Sequence, residues 1–479
     1  MNQKMKKSIT IKHAFVAASL ALSAFLLGSC QKSSDEVVTV SEPLFKVGQA
    51  VSTKTPLAGS IKGTLLADST YTVGGDVIIN ENDTLVIQPG AHINFPGNAP
   101  YCFVVKGSLL SLGSQNKPIY FTVPSAVKTD TQGADPTKDP AYKGLWGGIY
   151  GETTFKNIII KWTHIEFAGG KLGTSPVSFM ANGATSYGIS SMNPDGILVL
   201  EDSWVYGSID DPIRPFGCKM NVMRNTFEKC GFTGGEAMNI KSGVVGIFAY
   251  NLVIGMATNG PKASNNGGRN PQTNIQMYNN TMIHNGYRRS SAGRGGSLNF
   301  EEGARGGYWN NLMVNCKYGP RVVGATANYS GNALVVADTL NIKYSNNYNY
   351  VDSVKIANEV YPTGFATKPQ STDIPAPSSF LPAGYKPGAV YDGTAIVGKN
   401  NPLFVNFPLP MMANRLADIS FVGSYNFRLQ ATSPALGKGT TDVTILNVVP
   451  VSARFGATAL TPPNKDMGCY PADGTGNKH

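Results

Sequence analysis

Apolar residues in this chain come in short runs, alternating or continuous, and Gly, Pro, Asn or Asp breaks nearly every run. In the middle of the chain one phrase keeps returning, a polar residue followed by apolar positions. It reads WTHIEF from Trp162, DSWVY from Asp202, RNTFEKC from Arg224, YNLVI from Tyr250, NNTMIHN from Asn279, NNLMVNC from Asn310 and NNYNYV from Asn346. Aligned on the polar position, the phrases place Thr163, Ser203, Asn225, Asn251, Asn280, Asn311 and Asn347 in one column, the later intervals being 22, 26, 29, 31 and 36 residues. A period of that size with room for three short strands predicts one coil of a parallel β-helix, with the variable surplus going into loops. Stacked coils put equivalent side chains above one another about 4.8 Å apart, so the recurring asparagine predicts a hydrogen-bonded amide ladder at a corner.

The N-terminal part follows the same grammar without the asparagine. DVIINENDTLVIQPGAHINF, YCFVVKGSLLSLG and KPIYFTV are short alternating runs separated by turn residues. The series TLVIQPGAHINF, VVKGSLLSLGSQNKPIYFT and GLWGGIYG resembles the opening coils of right-handed parallel β-helix proteins of the pectate-lyase-like superfamily. NPLFVNFP, SYNFRLQATSPALGKG and DMGCYP resemble the final coils and ends of such proteins. The resemblance spans roughly residues 61 to 470 and implies an all-β, right-handed parallel β-helix with three short strands per coil. The β-helix domain is expected over 61–475, with insertions near 125–143, 258–272, 286–296 and 357–387. The coil from Asn251 shows no obvious third strand, only the insertion from Thr258 to Gln272.

Period-two alternation sorts the strands that follow the corner. Met238, Ile240, Leu298, Phe300 and Val322 are expected inside, and Asn239, Lys241, Asn299, Glu301 and Arg321 outside along one sheet, with Asp210, Asp211 and Arg214 at one end. Glu302 falls at the turn after Glu301, and Arg305 in the turn that follows. The insertions border this strip and bring Lys262, Arg269, Arg288, Arg289 and Arg294 toward it, while Tyr287 and Tyr308 offer faces for sugar stacking.

Such a strip suits an acidic polysaccharide: carboxylates accept hydroxyl hydrogen bonds, and arginines grip carboxylate or sulfate. Asn239, Lys241, Arg269, Arg288, Arg289, Arg294 and Asn299 are the expected ligand-binding residues, and Asp210, Asp211, Glu301, Glu302, Arg305 and Arg321 the candidate catalytic ones. In the lyases of this superfamily, acidic residues bind calcium and an arginine or lysine takes the proton beside a uronic carboxylate; calcium is thus the cofactor that a lyase reading carries. An inverting hydrolase instead needs two carboxyls about 6.5–9.5 Å apart, which here must come from different coils. The Gly-His-Gly and Arg-Ile-Lys motifs of polygalacturonase-like hydrolases and the Trp-Ile-Asp-His of pectate lyases are absent. Glycan binding without catalysis is therefore the leading expectation, ahead of a lyase or hydrolase and of a structural or adhesive surface protein.

Charge and targeting narrow the setting. Lys4, Lys6, Lys7 and Lys12 precede the apolar stretch Ala14 to Leu27, which is short for a membrane span and reads as a leader over 1–29. LLGSC resembles a bacterial lipobox with Cys30 as the lipidated residue, and QKSSDE resembles the export tag of Bacteroidetes surface lipoproteins. Residues 30–60 then read as a tether, and the protein as a monomeric, surface-exposed outer-membrane lipoprotein that meets the membrane through its lipid. Without the leader's four lysines the formal charge of +10 falls to +6, too dilute for nucleic-acid binding. Of the five remaining cysteines, Cys230 and Cys316 occupy equivalent positions three coils apart, about 14 Å, which is too far for a disulfide. Cys218 with Cys230 stays open as a pair, with free buried thiols the preferred reading. His92, His164, His284 and His479 are too few and too scattered for a multi-histidine metal centre.

Overall fold

The computed structural model describes residues 44–128, 136–289, 295–323, 336–357, 396–410, 425–452 and 458–479. The leader, Cys30, Arg294 and residues 358–387 of the last insertion lie outside the described residues. From residue 197 to residue 322 each coil lays one strand on each of three faces. One coil contributes Ile197–Glu201, Trp204–Ser208 and Ile213–Pro215, and the next Cys218–Met223, Thr226–Cys230 and Met238–Asn239. Stacked neighbours are parallel and in register, Leu198 beside Met220 and Val205 beside Phe227. Ten strands stack on the first face, from Gly63–Leu65 to Ile342–Ser345. The second face ends at Tyr348–Tyr350, and the third finishes in a four-stranded stretch, Met238–Asn239, Pro261–Ala263, Asn299–Phe300 and Arg321–Val322. This is the parallel β-helix that the periodicity predicts, right-handed as the resemblance implies.

The expected inward residues Met238, Ile240, Leu298, Phe300 and Val322 all sit in one continuous apolar core with Leu198, Met220, Phe248 and Ile275. The corner between the first and second faces is built by a two-residue device. Trp162, Asp202, Arg224, Tyr250, Asn279, Asn310 and Asn346 adopt left-handed backbone with φ of 47° to 58° and turn the chain. The next residue in each coil is the ladder residue. Asn225, Asn251, Asn280 and Asn311 each donate Nδ2 to Oδ1 of the asparagine one coil on, at 2.9, 3.2, 2.9 and 2.9 Å, and to a first-face carbonyl of the preceding coil. Their backbone N–H groups bond the same Oδ1 atoms. Ser203 and Thr163 extend the column with hydroxyls. Every polar group at a buried corner thereby finds a partner, which is the condition for burying it.

The first asparagine of each twin has a different task. Asn346, Asn310 and Asn279 donate Nδ2 to the carbonyls of Lys438, Thr440 and Asp466. The C-terminal stretch is a strap rather than final coils. It descends the first face, where both ends of the Gln276 amide hold Thr444 and Leu446 and Val449 packs on Val86, Leu110, Ile159 and Val199. It then climbs the corner from Thr458 on Glu201 to Asn464 on Asn310, and descends again to Asn477 on Asn225 and His479 stacked on Trp204 at 3.4 Å. NPLFVNFP and SYNFRLQ likewise form an antiparallel pair, Phe404–Asn406 with Asn426–Leu429, outside the parallel stack.

Three further expectations change. Part of the tether is folded: Leu57–Ser60 pairs with the strand Thr70–Ile79, and Ala50 bridges Thr64. Pro261–Ala263 is a strand inside the 258–272 insertion. Residues 136–143 are no free excursion, because Ala141 packs against the second face, where a Cβ at Gly207 would lie 2.8 Å from Ala141 Cα. Asp139 there pairs with the fully buried Lys229 at 3.0 Å. All five described cysteines are free and buried, so the Cys218–Cys230 alternative does not form. No helix among the described residues is long and apolar enough to cross a membrane.

Candidate functional site on the third face

The four short strands of the third face align Asn239, Lys262, Asn299 and Arg321 in one row across four coils. Their side chains stand on the outer side, as alternation predicts for Asn239, Asn299 and Arg321, yet each residue is at most 5% exposed. Buried polar groups need partners, and the row supplies a continuous chain of them. Arg214 Nη1 donates to Asp211 Oδ2 at 2.8 Å, and Asn239 Nδ2 donates to the same oxygen at 2.7 Å. Asn239 also reaches Glu236 Oε2 at 3.3 Å, and Asn259 reaches Glu236 Oε1 at 3.4 Å. Lys262 Nζ then lies between Glu236 Oε1 at 3.3 Å and Glu301 Oε1 at 3.2 Å, and Asn299 closes the chain on Glu301 Oε2 at 2.8 Å.

Protonation follows from this wiring. Burial pushes Asp211 well above the usual carboxylate range, reinforced by the Glu236 and Asp210 carboxylates, and Asp210 moves the same way. Burial pushes Glu301 upward too, but Lys262 and the Asn299 amide outweigh it and hold the carboxyl below its ordinary value. For Lys262 the two glutamates overcome burial and keep the ammonium charged. Lys241 is the exception. Burial, together with the charges of Lys262 and Arg214, lowers it to about 8.

A cluster of partly exposed cations and aromatic rings lies beside this network. The Arg214 guanidinium lies 4.6 Å from the Tyr187 ring centroid and 5.8 Å from that of Phe216, and Arg269 lies 5.9 Å from the Phe216 centroid. Arg214, Lys241 and Arg269 are the partly exposed cations here, with Asp210 and Glu302 as the partly exposed acids. Glu302 sits at the turn as expected, with φ of 51°, and accepts from Ser264 Oγ and from Asn266 Nδ2.

The structure therefore brings together Asp210, Asp211, Asn239, Lys241, Arg269, Asn299, Glu301, Glu302 and Arg321. It takes Arg305 away: instead of occupying a turn beside Glu301, Arg305 opens the first-face strand Arg305–Trp309 and pairs with Asn274. Arg288 is spent on structure, donating to the carbonyls of Cys230, Gly231 and Gly255 beneath the Tyr142 ring. Arg289 bonds the Thr233 carbonyl at 3.3 Å. Tyr308 is inside the core, and Tyr287 donates its hydroxyl to the Asn315 carbonyl, so neither offers a sugar platform. Glu236 was invisible to alternation because it lies in the loop just before Met238. Tyr187 and Phe216 carry no sequence signal beyond being aromatic. Among the described residues, no group of three His, Cys, Asp or Glu side chains is placed to hold a metal ion, so the calcium expectation acquires no ligand set there.

No family model matches the chain, and no curated protein matches it. Among solved structures it is similar to the crystal structure of pectate lyase Pel9A, with 12% identity over 84% of this chain and 86% of that one and a TM-score of 0.33. Likeness at that level lends the site no residue roles; the account of the third face rests on the chain's own geometry.

Proposed function

We propose that the third face binds a stretch of acidic polysaccharide, and that the chain presents it as a lipid-anchored protein on the outer-membrane surface, held through Cys30. The observation that carries this reading is the division of labour among charges. The buried carboxylates Asp211, Glu236 and Glu301 are already engaged by Arg214, Asn239, Lys262 and Asn299, whereas Lys241, Arg214 and Arg269 stand partly exposed beside the Tyr187 and Phe216 rings. Cations next to aromatic faces suit a uronic sugar, which has a carboxylate on an otherwise stackable ring. The test is calorimetric titration with hexagalacturonate and with a neutral hexasaccharide. The account expects saturable binding of the charged ligand alone, weakened about tenfold by Lys241→Ala. Equal binding of both ligands, or none dependent on Lys241, would remove the proposal.

A second reading, that the face is also a lyase, is favoured by the lowered lysine. An amine that titrates near 8 is available as a base at neutral to mildly alkaline pH, and proton abstraction beside a carboxylate held by Arg214 or Arg269 is the reaction it suits. A rise in absorbance near 235 nm on a uronic polymer, lost in Lys241→Ala, would establish it; hexamer binding with no new double bonds leaves a binding protein.

A further inference from the structure

The displaced Arg305 marks a different place. On the outer side of the first face, Asn274 pairs with Arg305, and Gln276, Gly307 and Lys343 pair across three coils. The row of side chains is interrupted at Gly307. A Cβ there would lie 2.6 Å from Trp309 Cη2 and 2.4 Å from the Lys343 carbonyl oxygen, so this position must stay bare. The Trp309 ring occupies the space above Gly307 and, beside Gly306, lines a cleft of about 630 Å³. Leu340 and Asn341 form one wall, and Asp442 to Leu446 of the strap form the other, fixed by the Gln276 amide.

The lining is chemically specific. Arg305 is half-buried, its Nε is shielded from solvent, and that nitrogen makes no hydrogen bond among the described residues. Lys343 is exposed on the adjoining strand. Leu340 is 96% exposed at the rim, an apolar surface with nothing packed on it. Asn274, Asn341, Ser345 and Asp442 surround these with amide, hydroxyl and carboxylate groups. Two cations against one acid favour an anion, Trp309 and Leu340 offer apolar surface to a sugar ring face, and the rim amides match hydroxyls. From this we infer a second saccharide site, on the first face, that takes a uronic sugar with its carboxylate on Arg305 and Lys343. It shares no residue with the third face and does not depend on that face binding anything.

The experiment is hexagalacturonate calorimetry on the full chain, its Arg305→Ala/Lys343→Ala variant and its Lys241→Ala variant. The wild type is expected to bind at two classes of site. The double variant loses one class, by about tenfold or more in affinity, and keeps the Lys241-dependent one. Lys241→Ala keeps the Arg305-dependent class whether or not the third face binds sugar. Among the described residues neither Arg305 nor Lys343 makes a side-chain hydrogen bond or ion pair, so the double variant should unfold at the wild-type temperature. Binding of a neutral hexasaccharide at this class, or a folded double variant with unchanged stoichiometry and affinity, would overturn the inference.

Discussion

At the scale of single residues, Lys241 decides most. Its outward direction was legible from the alternation through Met238 and Ile240, but its chemistry was not, because that depends on Lys262 and Arg214 from neighbouring coils. Its folded value of about 8 lies below the ordinary 10.5, so the charged form is disfavoured in the fold, and the group contributes increasing stability as pH rises from about 8 toward 10.5. Anion binding has the opposite dependence, since the ammonium is lost over the same range. Affinity for hexagalacturonate at the third face should fall as pH rises from 7 to 9 and stay level in Lys241→Arg, whose guanidinium does not titrate there. A fall of equal size in both proteins would show that another group is responsible. Glu236 teaches the converse: it is central to the network, yet no periodic signal reaches a loop residue placed just before its strand.

At the scale of elements, the corner was the most legible feature. Its ladder column was readable because one asparagine per coil recurs in a fixed relation to apolar residues, whatever the loop lengths. The ladder predicts a graded cost of breaking it. Asn280→Ala removes the amide that donates to Phe248 and Asn311 and that accepts from both Asn251 nitrogens, leaving a buried Asn251 N–H without its partner. Urea unfolding should show a loss of about 3 kcal/mol, whereas Thr163→Ala at the column's end, where the Ser111 and Lys161 contacts of one hydroxyl are lost, should cost about 1 kcal/mol. Equal losses at both positions would mean the column is not a cooperative ladder. The third-face strand Pro261–Ala263 was hidden by its leading proline and its length, and with it the position of Lys262 at the centre of the row. The strap was illegible for another reason: its partners lie up to 257 residues away in sequence, and it meets them mostly through its own backbone carbonyls, which leave no trace in its residue types.

At the scale of the whole molecule, a three-faced solenoid gives each face its own chemistry. The second face carries a column of stacked rings, His92, Tyr120, His164 and Trp204, with successive centroids 4.7, 4.5 and 4.5 Å apart, and His479 of the strap completes it. These rings cover one another's faces, which leaves them poor sugar platforms and good mortar. The first face holds the strap and the cleft beside Trp309. The third face places a buried ionic network behind a cluster of partly exposed cations and aromatic rings, and the central claim is that this cluster holds the acidic glycan. Carbodiimide coupling tests it most directly, since it joins a bound sugar carboxylate to whichever lysine amine it touches. With hexagalacturonate as the probe, peptide mass spectrometry should find coupling at Lys241 well above that at the exposed Lys62 and Lys117. Coupling spread over those surface lysines, with Lys241 unmodified, would contradict the account.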